Sequence, residues 1–69
     1  MYSKAELRQD FHGNRFGIEL AESFNGKEVS ENEILKAALN KIKKIPKTHS
    51  GIDQARGIIN VTFEIIDGD

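Results

Sequence analysis

Residues 58–66, IINVTFEII, decide how this chain is expected to fold. Ile59, Val61, Phe63 and Ile65 alternate with Asn60, Thr62 and Glu64. A period of two marks a half-buried strand, and β-branched and aromatic side chains suit a pleated backbone. The alternation predicts a strand over 58–66 that faces the core with Ile59, Val61, Phe63 and Ile65. Ile58 and Ile66 then fall on the outer face, at its two ends.

A strand needs a neighbour, and residues 15–29 are the candidate. Phe16, Ile18 and Leu20 alternate with Arg15, Gly17 and Glu19. Phe16, Leu20 and Phe24 also fall at i, i+4, i+8, which is helix spacing. The Asn25-Gly26 pair tips the reading to a β-hairpin, because a type I′ turn needs positive φ at both central residues. Gly17 adds to this, since glycine weakens a helix interior. Lys27, Glu28 and Val29 would begin the return strand. The rival reading makes Asn25-Gly26 the C-cap of a helix.

Between these segments lies the main helix, residues 30–45. Ser30 and Glu33 have capping-box spacing, and Val29 and Ile34 are placed for a hydrophobic staple. Glu31 and Glu33 sit in the first turn, and Lys41, Lys43 and Lys44 near the end, each where the helix dipole favours its charge. Pro46 stops the helix by pushing its predecessor out of the α region. Ile34, Leu35, Ala38, Leu39, Ile42 and Ile45 form one apolar stripe. Residues 3–12 read as a short helix, with Ser3 and Glu6 as a capping box and Gly13 as its stop. Residues 46–57 are expected to be a loop, longer than the usual ~2–6 residues, with a helical turn suggested by the spacing of Ser50 and Asp53.

The expected architecture is one small α+β domain over residues 1–69. A three-stranded sheet, made of the hairpin and the C-terminal strand, is packed by the main helix, with a short helix before it. So narrow a sheet leaves open edges, and homodimerisation through a sheet edge is expected to cover one of them.

Composition bounds the function. The chain has 69 residues, no cysteine, two histidines, a net charge of −1 and 30% charged residues. Disulfides and thiolate metal sites are therefore absent, and a domain this small buries too little surface to be robust alone. No apolar run approaches the ~18 residues of a membrane span. MYSKAELRQDF carries nothing resembling a signal peptide, so the expected compartment is the cytoplasm, with no membrane association.

Catalysis finds little support. His49, Ser50 and Asp53 supply the residue types of a nucleophilic site, but neighbouring side chains rarely meet as nucleophile and base must. Paired carboxylates such as Glu31 and Glu33 are explained by capping. His12 and His49 show no metal-ligand spacing, and no glycine motif cradles a phosphate. A non-enzymatic role with no metal and no cofactor is expected.

The charge is sorted along the chain. Residues 19–33 hold five glutamates and one lysine, and residues 36–56 hold five lysines, Arg56 and Asp53. Such blocks serve internal pairing as readily as an external ligand. Lys36, Lys43, Lys44, Lys47, His49 and Arg56 are the candidate partner-binding residues. They suit a partner protein with an acidic surface, met by a regulator, an inhibitor or a small subunit. Phage and mobile-element proteins that block a host enzyme include domains of this size. The alternative is a nucleic-acid-binding accessory protein using the lysine face of the main helix and the 47–57 loop. Against it, no aromatic residue is interleaved with the lysines for base stacking.

Overall fold

The computed structural model describes residues 1–25 and 28–68. It is an all-α fold of four helices: α1 (Lys4–Asp10), α2 (Arg15–Glu22), α3 (Glu31–Lys44) and α4 (His49–Asp67). Among the described residues there is no strand, only an isolated antiparallel bridge between Tyr2 and Val29. The expected α+β class with its three-stranded sheet is therefore corrected. The hairpin at 15–29, the loop at 46–57 and the strand at 58–66 go with it. A homodimer through a sheet edge has no sheet edge to use. The expected Asn25-Gly26 turn and Lys27 of its return strand lie partly outside the described residues.

The capped helices form where their end signals lie. Ser3 Oγ accepts the Glu6 N–H and Glu6 Oε1 accepts the Ser3 N–H, both at 3.2 Å. Ser30 Oγ accepts the Glu33 N–H at 3.2 Å and Glu33 Oε1 the Ser30 N–H at 3.3 Å. α3 stops at Ile45, which is extended with ψ 132° before Pro46, as the proline requires. The chain turns after α1 at Gly13, whose φ is +84°. Val29 and Ile34, the expected staple pair, are both buried in the core.

In α2 the helix spacing of Phe16, Leu20 and Phe24 wins over the alternation. Asn14 caps the helix, its Oδ1 accepting the Gly17 N–H at 2.9 Å. Leu20 and Ala21 are buried, and Phe16 and Phe24 pack against the core. Gly17, the residue that argued against a helix, lies on the Phe11 ring. A Cβ there would stand 2.5 Å from Phe11 Cδ1. Glycine is what lets α2 close on the residue that caps α1.

α4 takes up most of the expected loop and all of the expected strand. Thr48, not Ser50, is its N-cap, and accepts the Gly51 N–H at 3.0 Å. Gly51 is buried against the Pro46 carbonyl, so only a short corner joins α3 to α4. The buried residues of α4 are Gly51, Ile58, Thr62 and Ile65. These recur at helical spacing, hidden beneath an alternation of the same residues' neighbours. The backbone decides between the two. An unpaired strand would leave its buried N–H and C=O groups without partners, whereas a helix satisfies them internally. With residues 15–22 helical, a strand at 58–66 has nothing to pair with.

Leu7, Phe11, Ile34 and Ile58 are the largest fully buried side chains. They come from α1 and its cap, from α3 and from α4, and α2 packs on all three other helices. The N-terminus is strapped across this core. The backbones of Tyr2 and Val29 exchange hydrogen bonds of 2.8 and 2.7 Å, and the Tyr2 hydroxyl donates to the Ile65 carbonyl at 2.9 Å. Asn14 holds the other side, its Nδ2 donating to the Gln54 carbonyl at 2.9 Å.

Candidate interaction face

The side chains left over by this packing define the face of interest. The α3 stripe divides: Ile34, Ala38 and Ile45 are buried, whereas Leu35 is 39% and Leu39 59% exposed. α4 divides likewise. Ile58 and Ile65 are buried, whereas Ile59 is 40% and Phe63 59% exposed. This corrects the expected strand faces, in which Ile58 points outward and Ile59 and Phe63 inward. Ile52, also exposed, extends the outer row of α4 towards its start.

The two outer rows meet. Leu35, Ala38, Leu39 and Ile42 of α3 and Ile59, Thr62 and Phe63 of α4 line one apolar groove of about 130 Å³. Thr62 is its one polar lining residue. It is 5% exposed, and its Oγ1 has no hydrogen-bond partner among the described residues. Large contiguous apolar surface is uncommon on small monomers and marks contact sites.

Charge is sorted along the two helices that form this groove. α3 and α4 run antiparallel across their short corner, so the lysine-rich end of α3 lies beside the start of α4. There Lys43 and Lys47 line a recess of about 350 Å³ with Ile42, Pro46 and Ile52. At the other end are Glu31 in the first turn of α3 and Asp67 in the last residue of α4. Beside that end, Glu6, Asp10 and Glu64 share a recess of about 320 Å³. The Asp10 carboxyl is held above its ordinary range, chiefly by lost hydration and then by Glu6 and Glu64.

The six residues expected to bind a partner are spread over α3, the corner after it and α4. Lys43 and Lys47 share the corner recess. Lys44 instead lines a different recess, with Glu19 and Lys41 beside α2. Lys36 and Arg56 are exposed and form no ion pair among the described residues. His49 and Arg56 belong to α4 rather than to a loop. The His49 ring lies 3.8 Å from Asp53 one turn on, so the His49, Ser50 and Asp53 grouping becomes the start of a helix. Lys41 makes the tertiary tie: it bonds Glu19 at 2.6 Å, and its ammonium lies 5.4 Å from the Phe16 ring centre. That hydrogen bond lowers the Glu19 pKa. The acidic and basic blocks thus pair internally at one point at least.

The strand alternation hides this groove in the sequence, because it points Ile59 and Phe63 inward. A helical reading of Ile52, Ile59 and Phe63, at i, i+7 and i+11, would have shown a second apolar row on α4. Among the described residues, no group of three or more His, Asp or Glu side chains could hold a metal ion, and no helix is long and apolar enough to cross a membrane. No protein-family model, no curated protein and no solved structure matches the chain.

Proposed function

We propose that this chain is a small non-enzymatic interaction module, a regulator, inhibitor or small subunit, that works by docking the α3–α4 face onto another polypeptide. The observation that carries this reading is the exposure of Leu35, Leu39, Ile59 and Phe63 in one continuous apolar groove. A 69-residue chain gains little from leaving four large apolar side chains in water. They lie at the centre of the face, with charged residues at its ends, the layout of a contact surface with an apolar middle and a polar rim.

The test compares the wild-type protein with a Leu39→Glu/Phe63→Glu variant in host extract. Both side chains are exposed, so circular dichroism should show an unchanged fold. The wild type should elute in a complex, with itself or another protein, that the variant does not form. Identical elution of the two would overturn the reading.

A further inference from the structure

We infer that the polypeptide docked on the α3–α4 groove is a second copy of this chain, arranged antiparallel so that α3 lies on α3 and α4 on α4. The inference rests on the reading of the groove as a contact surface and names its occupant.

Charge order selects the arrangement. Two-fold axes relate identical faces in the commonest closed assemblies, and the same patch then serves both copies. Two orientations are open to a pair of two-helix faces. With the axis along the helices, α3 would meet α4, and the basic ends carrying Lys43 and Lys47 would lie together, as would the acidic ends. With the axis across the helices, every basic end meets an acidic one.

Spacing supports the second orientation. Glu31, Leu35, Leu39 and Lys43 follow one another at four-residue intervals along α3. Four-residue steps turn about 40° each, so this row is a ridge inclined to the helix axis, and a copy of α3 crossing antiparallel at about 50°, ridge along ridge, sets Leu35 against Leu39 of the copy and Glu31 against its Lys43. On α4, Arg56 and Asp67 flank the pair Ile59 and Phe63. The same operation sets Ile59 near Phe63 and Arg56 near Asp67. Gly51 packs on Ile45 and Pro46, and counting back along two antiparallel helices from that contact brings both centres to within about one turn of the same level. A single two-fold axis therefore serves both helices. The acidic surface expected for Lys43 is supplied by the copy's own Glu31.

The test is sedimentation equilibrium or light scattering on the full chain across a thousandfold dilution. The expected mass is twice 7.7 kDa, falling to 7.7 kDa on dilution. Phe63→Glu should raise the dissociation constant by about 30-fold or more, the effect of a central contact. Lys43→Glu alone and Glu31→Lys alone should each weaken association, and the two together should restore it. Restoration is specific to the antiparallel arrangement. A wild type that stays at 7.7 kDa throughout overturns the inference. A dimer whose two charge reversals add rather than cancel also overturns it. If the wild type is monomeric but the Leu39→Glu/Phe63→Glu variant loses a complex with a different protein, the interaction reading stands and the second copy falls. If a nucleic acid shifts the wild type and dimerisation is absent, both fall.

Discussion

α3 and α4 lie side by side, yet they are helices for different reasons. α3 carries its own instructions. It has a capping box, glutamates in its first turn, lysines in its last, and a proline that ends it. α4 has a single capping contact from Thr48, no acid in its first turn and no base in its last. Its C-terminal half is rich in β-branched residues, and Asp67 stands where the helix dipole favours a cation. Local preference makes α3, and packing against the rest of the core makes α4. The same difference bears on function, since both helices carry an inward and an outward apolar row, and on α4 packing rather than local preference decides which residues fill each.

The largest effect is expected from truncating the inward row of α4. Ile58→Ala should cost about 3 kcal/mol, as for a fully buried aliphatic side chain. Ile59→Ala, one residue on, should cost under about 1 kcal/mol. Urea denaturation in the Phe63→Glu background keeps self-association out of the measurement. Equal costs would mean that α4 does not have two distinct faces.

The caps come next. Ser30→Ala breaks a reciprocal pair and should cost about 1 kcal/mol. Thr48→Ala breaks one contact and should cost about half as much by the same reasoning. If α4 responds more strongly than α3, its start is more locally determined than packing implies.

Thr62→Val should act in the opposite direction. The hydroxyl is buried and unpartnered among the described residues. Replacing it with a methyl of similar shape should raise stability by up to about 1 kcal/mol, read by thermal denaturation.

The smallest effect is expected at Asp10, which faces the acidic end of α4. Its folded pKa is raised, so the folded state binds more protons than the unfolded state in and just above the ordinary carboxylate range. Stability is lost there as pH rises and recovered as pH falls. Asp10→Asn should raise Tm slightly at about pH 7 and leave it unchanged at about pH 3, where both states already carry the proton. A Tm gain of the same size at both pH values would show that the carboxylate charge is not the cause.

Much of the local structure was legible. Ser3 with Glu6, Ser30 with Glu33, and Pro46 marked their helix ends because capping and proline effects act within a few residues. The candidate site was legible only in part. Lys43 and Lys47 do share a recess, but the groove beside them was missed because Ile59 and Phe63 fit both periods. Gly17 shows the same ambiguity, a helix breaker by propensity and a packing contact against Phe11 in the fold.

α3, the start of α1 and the absence of disulfides each follow from residues near in the chain or from composition alone. That 15–22 and 58–66 are helices depends instead on contacts between segments far apart in the chain. Their two readings are coupled, because either segment can be a strand only if the other supplies a partner for its backbone. Both close on the common core as helices, which turns Ile58 inward and leaves Ile59 and Phe63 on the surface.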